Sequence, residues 1–252
     1  MRDSNSPVRI SVCMATYNGA EFIGMQLESI LGQLEDCDEV VIADDGSTDA
    51  TRDFIESFKD PRIRIICGGE RPLGPTYNLE RALAAARGEY VFLTDQDDVW
   101  LPGKVARVLG GLKEATLVLH DAYLLHRAGT SDEWIRGDLL SQIRPFAPGL
   151  LRNWFKNGYT GNCMAFRREL LSKALPFPAK LPMHDQWLGL VAEKNFSVVY
   201  IPEALVEYRQ HGTNATRITG SGKGTWQRIK WRMNLARALM RRGGAPSAGS
   251  GI

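Results

Sequence analysis

Three carboxylates stand close together in the segment TDQDDVW at residues 94–100. Asp95, Asp97 and Asp98 directly follow the apolar run Tyr90–Leu93, which is typical of a buried strand. Like charges at this spacing repel one another. A divalent cation would offset that repulsion, since magnesium and manganese favour oxygen ligands and can bridge a protein to phosphate oxygens. A single acidic residue at a strand end often caps a helix or faces water instead, so these three have to be judged as a group.

Polar side chains also follow two other predicted strands. The first strand is followed by ATYNG (15–19) and the second by DDGSTD (44–49), which adds Asp45 to the acidic set. The carboxyl ends of parallel strands meet at one edge of a sheet, and ligands bind beyond that edge. We therefore expect Asp45, Asp95, Asp97 and Asp98 on one rim, which favours a ligand site over four unrelated helix caps.

Strand and helix patterns alternate through the first half of the chain, which predicts right-handed crossovers and an α/β fold with a mainly parallel central sheet flanked by helices. Ser47 or Thr48 is expected to cap the second helix, and Gly88 to end the third. The strand patterns cover 8–16, 39–43, 62–67, 90–94 and part of 115–125, and the helical patterns cover 20–34, 50–58, 75–88 and 103–112.

The alternation stops after about residue 123. Residues 126–160 look like a loop with one short helix near 148–156. A strand at 161–167 and a helix over RELLSKAL come next, and a helix over 183–195 begins with His184 and Asp185. The segments SVVYI and ALVEYRQH are predicted to form two further strands.

Composition indicates a cytoplasmic globular protein. The 252 residues are 44% hydrophobic and 24% charged, and no apolar run is long enough for a membrane span or a signal peptide. Four scattered cysteines have no CxxC spacing, which is compatible with a reducing compartment.

The net charge of +2 conceals an acidic body and a basic tail, because eight Lys or Arg and no Asp or Glu occur from Arg217 onward. In this tail Trp226, Ile229, Met233, Ala236 and Met240 recur at helical spacing among basic residues. Such a helix suits the surface of an anionic membrane. A helix packed on the rest of the protein, or a dimer contact, explains the pattern equally well. The final GGAPSAGSGI is predicted to be disordered.

Several segments together resemble the family 2 glycosyltransferases of GT-A fold, and among them the rhamnosyltransferase-like bacterial members. The segments are SVCMATYNG, VVIADDGSTDAT, GPTYNLERALAAARGEYVFLTDQDDVWLPGKV and YRQHGTN, and they span residues 8 to about 214 in order. The resemblance implies a Rossmann-like GT-A catalytic domain over 1–215. Its nucleotide-sugar half would cover 8–122 and its acceptor half 123–215, with a basic amphipathic tail over 216–252.

The resemblance also implies roles for individual residues. Asp97 of the DQD segment matches the metal ligand, and Asp95 contacts ribose or metal-bound water. His211 matches a histidine that closes over the diphosphate or the metal in some members, although an isolated histidine is more often structural. Asp185 matches the catalytic base, its alternative being a helix N-cap. The nucleotide-sugar contacts implied are Ala15, Thr16, Tyr17 stacking on the base, Asn18, Asp45 on the pyrimidine, Asp95 and Gln96.

The chemistry that follows is metal-dependent, inverting transfer of a sugar. A Mn²⁺ or Mg²⁺ ion stabilises the leaving diphosphate, and one carboxylate deprotonates the attacking hydroxyl. The donor is expected to be a dTDP- or UDP-sugar, with the motifs leaning toward dTDP-rhamnose. The acceptor is expected to be a glycan or a lipid-linked oligosaccharide of a cell-surface polysaccharide, with no nucleic acid involved. On the acceptor side Trp134, Trp154, Tyr159 and His184 are candidates, though the aromatic residues fit a packing role equally well.

Other functional classes fit less well. A dinucleotide-binding GxGxxG and a P-loop GxxxxGK[ST] are both missing from the sequence. A sugar nucleotidylyltransferase would begin with a glycine-rich, arginine-containing loop, and a processive synthase would carry QxxRW, for which only QRIKW occurs at 227–231. The remaining alternative is an inactive GT-A scaffold that serves as a binding module at the membrane, although such a scaffold has no need to keep the acidic set together.

Overall fold

A computed structural model describes residues 7–69, 71–128, 133–211 and 225–242. The strands within these residues are β1 (Ile10–Thr16), β2 (Glu39–Asp44), β3 (Ile63–Cys67), β4 (Tyr90–Thr94), β5 (Val99–Trp100), β6 (Leu117–Arg127), β7 (Trp134–Leu139), β8 (Met164–Arg167) and β9 (Val198–Arg209). The helices are α1 (Ile23–Leu31), α2 (Thr51–Ser57), α3 (Gly74–Ala85), α4 (Lys104–Glu114), α5 (Leu140–Ile143), α6 (Leu150–Phe155), α7 (Leu171–Ala174), α8 (His184–Asn195) and α9 (Thr225–Arg241).

All of these strands join one sheet in the order β3-β2-β1-β4-β8-β6-β9-β5, with β7 paired to β6. The first four strands in this order are β3, β2, β1 and β4. They pair in parallel, as the alternating half of the sequence predicted. The second half is mixed. Strand β9 runs parallel to β6, whereas β5, β7 and β8 pair antiparallel with their neighbours. The mainly parallel arrangement is therefore limited to the first half.

Helices cover both faces of the sheet, because alternate side chains of each buried strand point to opposite sides. On one face α1 and α4 pack with Val12, Met14 and Ile42. On the other, α3 and α8 pack with Cys13, Val41 and Leu93. The continuous apolar strands of the first half follow from this double coverage.

The second half departs from the sequence predictions in three places. The predicted loop 126–160 contains β7, which pairs with β6, and α5 in addition to the expected short helix α6. The two strands predicted for SVVYI and ALVEYRQH form the single strand β9. Its register with β6 shifts between Ile201 and Ala204, because Pro202 has no N–H to donate to the ladder. The two-residue strand β5 was not predicted.

Two predicted helix boundaries were wrong. Helix α2 has Ala50 at its N-cap, and Asp49, rather than Ser47 or Thr48, accepts a hydrogen bond from the Thr51 N–H at 3.0 Å. Helix α3 ends at Ala85, three residues before Gly88. A Cβ on Gly88 would lie 2.4 Å from the Ser11 backbone nitrogen, so this glycine allows the chain to pass close to β1.

Within the described residues, no helix combines the length and the apolarity that crossing a bilayer requires. The predicted disordered end at 243–252 lies outside the described residues.

Candidate active site

The three carboxylates that follow β4 come together at the carboxyl edge of the sheet. Asp95, Asp97 and Asp98 each present an oxygen within 4.8 Å of the others, the one such acidic group found among the described residues. Asp97 is 7% exposed and Asp98 is fully buried, whereas Asp95 keeps some contact with solvent. The group is therefore open to a ligand on the side of Asp95.

Asp98 faces the protein interior. Its carboxylate accepts a hydrogen bond from Asn162 Nδ2 at 2.5 Å and another from the Arg209 backbone N–H at 3.1 Å. Buried Lys104 donates to the Asn162 carbonyl oxygen at 3.1 Å, and its ammonium lies 4.1 Å from the centre of the Trp100 ring. Asp98 thus ties the acidic loop to β9 and to the segment before β8.

Burial and mutual repulsion disfavour the charged forms of these acids. Burial, followed by the charges of Asp97 and Asp185, raises the pKa of Asp95 to about 7. Burial, followed by the charges of Asp97 and Asp95, raises the pKa of Asp98 well above its ordinary value. Burial also lowers the pKa of nearby Lys104 to about 7, and the charges of Cys163, Asp98 and Asp95 oppose this shift.

His211 lies directly against this cluster. Its Nε2 is 2.7 Å from Asp97 Oδ2, and its ring stacks on Phe22 with centroids 4.7 Å apart and an interplanar angle of 20°. The structure therefore brings together the two residues predicted to hold a metal. Arg209 reaches the same loop, with Nη1 3.3 Å from the Asp97 carbonyl oxygen.

The fit of these residues to a divalent cation is good. Carboxylate oxygens and an imidazole nitrogen are donors that Mn²⁺ accepts readily, and Mg²⁺ accepts the carboxylates. Burial first, and then the charges of neighbouring carboxylates, raises the pKa of Asp95 and Asp98, and a bound cation would relieve that repulsion.

The predicted nucleotide loop is joined to the acidic loop through Gln96. Its side chain accepts from the Tyr17 backbone N–H at 2.9 Å and donates to the Tyr17 carbonyl oxygen at 3.1 Å. A Cβ on Gly19 would lie 2.4 Å from Gln96 Oε1, so a glycine is needed for this clamp. The Tyr17 side chain is 50% exposed at the rim, where it can meet a flat ligand.

Asn18 joins the loops that follow β1 and β2. It adopts a positive φ of 47°, a region in which asparagine is among the favoured non-glycine residues. Its backbone N–H donates to Ser47 Oγ at 2.9 Å, and its Oδ1 accepts from the Thr48 N–H at 2.8 Å. Thr16 is buried beside it, with Oγ1 3.2 Å from Asp44 Oδ1.

The two acids of the ADDGS segment have different positions. Asp44 accepts from the Gly46 and Ser47 N–H groups at 3.1 and 3.0 Å, which folds the loop after β2. Asp45 is 5% exposed and accepts from the N–H groups of Leu73 and Gly74 at 2.9 and 2.8 Å, at the start of α3. Contact of Asp45 with a base stays a prediction. Ala15, half-buried at the end of β1, is placed on the same edge.

Asp185 approaches the acidic cluster from the other half of the chain. It lies in the first turn of α8, whose N-cap is Met183 without a side-chain cap, so the N-cap explanation for Asp185 was wrong. Its Oδ1 accepts from Asn157 Nδ2 at 3.2 Å and from the Gln186 N–H at 2.6 Å. Its charge contributes to the raised pKa of Asp95, so the two carboxylates lie within electrostatic reach.

His184 packs into the wall beside Asp185. A Cβ on Gly161 would lie 2.8 Å from His184 Nε2, so the ring rests against the backbone there. Burial lowers the pKa of His184 and favours the neutral imidazole, with Asp185 opposing this shift.

Two aromatic residues predicted on the acceptor side have packing roles. Tyr159 is fully buried and donates to Glu193 Oε1 at 2.8 Å, so its ring is not available to stack on a sugar. Trp154 is partly buried against the core and donates from Nε1 to the Arg232 carbonyl oxygen of α9 at 3.1 Å. Trp134 packs edge-on to Phe22 at 6.2 Å, close to His211.

Four residues with clear positions at the site were missed from sequence: Lys104, Asn157, Asn162 and Arg209. Arg209 stands in the YRQH segment, which could have indicated it. Lys104 looks like an ordinary surface lysine in LPGKV, and the two asparagines acquire partners only through the fold.

Comparison with known proteins agrees with the resemblance seen in the sequence. Residues 11–175 match the model of the family described as glycosyl transferase family 2. A relative from Nostoc, called an uncharacterized glycosyltransferase, is 30% identical over 221 residues, which cover 82% of this chain and 66% of the relative. Several further curated relatives are covered to only 59% of their length, so the chain spans about two thirds or less of the curated relatives it matches.

Solved structures share the fold at low sequence identity. S. aureus TarS 1-349 in complex with UDP-GlcNAc matches with a TM-score of 0.72 and 20% identity, over 94% of this chain and 68% of that one. A mannosyltransferase from Pyrobaculum calidifontis in complex with GDP-Man and Mn²⁺ matches with a TM-score of 0.61 and 22% identity, over 98% and 68%. These matches confirm the predicted α/β GT-A fold class.

Proposed function

Because the chain belongs to glycosyl transferase family 2, we propose that it is an inverting enzyme that moves a sugar from a nucleoside diphosphate sugar to an acceptor hydroxyl. One observation carries this proposal. The cluster of Asp95 and Asp97 is joined by Gln96 to the exposed Tyr17 loop, and Asp185, from a different part of the chain, lies within electrostatic reach of Asp95. Donor-side and acceptor-side chemistry would thus have separate carboxylates.

The donor would lie along the edge formed by the loops after β1, β2 and β4. Tyr17 would stack on the base, and the loop held by Asn18 and Asp44 would surround the nucleoside. A uridine or thymidine diphosphate is the proposed carrier, with rhamnose as the proposed sugar. TarS binds UDP-GlcNAc on the same fold, which supports this class of donor without identifying the sugar.

Asp97 and His211, with Asp95 beside them, would hold a divalent metal, Mn²⁺ or Mg²⁺. When bound, such an ion supplies positive charge that stabilises the leaving diphosphate as a Lewis acid. The P. calidifontis relative contains Mn²⁺ with its nucleotide sugar, which supports a metal here. Asp98 would act as a support, because its oxygens already bind Asn162 and Arg209.

Asp185 would take the proton from the acceptor hydroxyl as that oxygen attacks the anomeric carbon. The bond from carbon to the diphosphate oxygen then breaks, and its electron pair leaves with the diphosphate, so the anomeric configuration inverts in one displacement. Asn157 fixes the carboxylate through the hydrogen bond to Oδ1, which leaves Oδ2 as the candidate basic atom. His184, beside it, would contribute to the wall of the acceptor site.

The acceptor is proposed to be a glycan or a lipid-linked oligosaccharide used in cell-surface polysaccharide synthesis, contacted by the half of the domain after residue 122. We propose a cytoplasmic enzyme, in keeping with its four free cysteines. The tail over 216–252 is proposed to have a function separate from that of the catalytic domain.

Release of nucleoside diphosphate from a panel of UDP- and dTDP-sugars, with Mn²⁺, Mg²⁺ or chelator present, tests the proposal. Water can replace the missing acceptor, so slow metal-dependent hydrolysis of one or a few donors is expected. Asp97→Asn should abolish the metal dependence and Asp185→Asn should preserve donor binding. Calorimetry measures the binding of any donor that binds but is not hydrolysed.

An inactive scaffold would give a different pattern. It would show neither hydrolysis nor metal-dependent binding of any donor, and the proposal would then be wrong. Metal-dependent binding with no effect of Asp97→Asn would place the metal elsewhere.

A further inference from the structure

Helix α9 carries two separate apolar faces. Leu235 and Leu239 are buried in the core that includes α8, at 3% and 7% exposure. The other face remains exposed in the described structure, with Trp226 at 84%, Met233 at 47% and Met240 at 69%. Leu235 and Leu239 thus pack the tail helix on the domain. The residues whose spacing suggested a membrane are different ones and stay exposed.

Helical geometry separates these faces clearly. At about 100° per residue, Trp226, Ile229, Met233 and Met240 fall within an arc of about 60°. The buried pair, Leu235 and Leu239, lies about 130° away around the helix axis. We call the four exposed residues the α9 stripe. Since α9 is already anchored through Leu235 and Leu239, burial within this domain does not account for the stripe.

Helix α6 adds apolar surface beside α9. Leu151 and Phe155 of α6 are 71% and 56% exposed. Arg232 joins the two helices, because Nη2 donates to the Phe155 carbonyl oxygen at 2.6 Å and the guanidinium lies 5.5 Å from the Phe155 ring centre. Exposed apolar side chains grouped across two helices are unusual on a soluble surface and mark an interaction site.

A basic groove borders the other side of the stripe. It lies between α9 and the segment 176–180, and no acidic residue is found among the described residues that line it. The cationic residues of this groove are Lys180, Lys230, Arg237, Arg241 and Arg242. Helix α9 itself contains no Asp or Glu. The groove is therefore suited to anionic groups, with apolar side chains next to it.

We propose that this surface docks on an anionic lipid bilayer. The stripe, with Leu151 and Phe155, enters the interface, and the basic groove receives phosphate headgroups. Charge complementarity selects this occupant, because basic residues beside an exposed apolar helix face match a negatively charged leaflet. A symmetric dimer through this face would bring two basic grooves close together, which disfavours a second copy as the occupant.

The position of this surface gives docking a consequence for the reaction, and this part rests on the proposed function. Asn157, two residues beyond Phe155, donates to Asp185. The docked face therefore lies next to the candidate base. An acceptor carried on a lipid would reach Asp185 along the membrane surface without leaving the bilayer.

Sedimentation of the full chain with vesicles tests the docking. Vesicles of phosphatidylcholine alone and with phosphatidylglycerol are compared at low and high salt. The wild-type chain should bind the anionic vesicles at least about tenfold better than the neutral ones, and high salt should weaken that binding. Ile229→Asp with Met233→Asp should reduce binding by about tenfold or more, as should Lys230→Glu with Arg237→Glu.

Phe54→Asp is the matched control, because Phe54 is 46% exposed on α2, away from α9. It should bind like the wild type. All variants spare Leu235 and Leu239, and thermal unfolding confirms that each is folded. Undiminished binding by the stripe variant, or equal loss in the control, would overturn the proposal.

Light scattering tests whether a second copy of the chain occupies this face instead. A concentration-dependent dimer that the stripe substitutions abolish, without vesicle binding by the wild type, would mean that the face binds a second copy. Nucleotide-sugar hydrolysis is measured separately, so failure of docking and failure of the transferase proposal give different results.

Discussion

The parallel strands carry a group of charged residues at each end, and the two groups differ in how their charges are balanced. At the amino end, Glu39 of β2 accepts hydrogen bonds from Ser11 Oγ at 2.7 Å and from Arg87 Nη2 at 2.7 Å, with Arg64 Nη2 at 3.2 Å. At the carboxyl end, Asp95 and Asp97 face each other and Asp98 within 4.8 Å.

The pKa shifts run in opposite directions at the two ends. Burial works most strongly against ionised Glu39, but hydrogen bonds from Arg87 and Ser11 more than compensate, and the pKa of Glu39 is lowered. At the carboxyl end, burial and neighbouring carboxylates raise the pKa of Asp95 and Asp98. Both ends contain buried acids. At the amino end, guanidinium groups of Arg87 and Arg64 bond directly to the Glu39 carboxylate. At the carboxyl end, the Arg209 guanidinium contacts the Asp97 carbonyl oxygen, and the pKa of Asp95 and Asp98 is still raised.

This difference indicates which end serves stability and which serves function. A buried acid with hydrogen-bonded partners keeps its charge, and removing it from that network destabilises the fold. A set of buried acids that repel one another costs stability, and such costs are tolerated where a ligand later relieves them. The comparison predicts that charge removal will have opposite consequences at the two ends.

The largest effect is expected at Asp185, whose charge acts on Asp95 of the carboxyl-end cluster. Asp185→Asn keeps the size of the side chain but removes the basic oxygen, and loss of a general base costs on the order of 10²–10⁴-fold in rate. Steady-state kinetics of sugar transfer should show this loss, while calorimetry shows donor affinity within a few-fold of wild type.

The control for this variant is Asp53→Asn, which removes an exposed acid from the first turn of α2. It should leave transfer unchanged. If Asp185→Asn keeps most of its activity, the base assignment is wrong, and His184 becomes the next candidate.

The second effect concerns stability at the amino end. Glu39→Gln removes the buried carboxylate that binds Arg87 and Arg64, whose side chains are 57% and 37% exposed and can turn to water, so the loss should be about 1–3 kcal/mol. Urea unfolding should show this decrease, with donor binding unchanged in the folded protein. A loss below about 1 kcal/mol would mean that the amino-end network contributes little.

The third effect tests the carboxyl end by the same kind of substitution. Asp97→Asn should weaken metal-dependent binding of a nucleoside diphosphate by at least about tenfold, since one charged ligand is lost. Without metal, the variant should be as stable as wild type or more stable by about 1 kcal/mol, because one repelling charge has gone.

Calorimetry and unfolding in chelator measure the two parts of this prediction. Lower stability of Asp97→Asn in the absence of metal would contradict the contrast between the two ends. It would mean that the link between Asp97 and His211 matters more than the repulsion.

The sequence was sufficient for the first half of the fold because its central strands are largely apolar. Val40, Val41 and Ile42 of β2 are all fully buried, so the pattern is continuous. Strand β7 was missed because it is mostly exposed and follows no such pattern. Strand β9 was divided in two because Pro202 interrupts an otherwise regular run, and only pairing with β6 restores its continuity.

Site residues that are adjacent in sequence could be predicted. Those whose positions depend on packing could not. The DQDD segment gave the acidic cluster, because its members are adjacent in sequence. Tyr159 and Phe155 are aromatic residues four positions apart, yet one is fully buried and the other 56% exposed. Lys104 is buried because the fold places it under Trp100, which no pattern around residue 104 reveals.

The smallest effect is a pH dependence that identifies the amino-end network by its sign. The pKa of Glu39 is lowered in the folded protein from its ordinary value of 4.5, so its contribution to stability is fully present above that pH. As the pH falls below 4.5, the unfolded chain binds a proton first, and the contribution declines until folded Glu39 is protonated as well. One group changes the free energy of unfolding by at most about 1.4 kcal/mol per pH unit.

Urea unfolding of wild type and Glu39→Gln at several pH values isolates the contribution of Glu39, since the other titrating groups are common to both proteins. The stability difference between them should be constant near neutral pH and should shrink in acid. A difference that grows as the pH falls would mean that folded Glu39 holds its proton more tightly than the unfolded chain does, and the two ends of the sheet would then be alike.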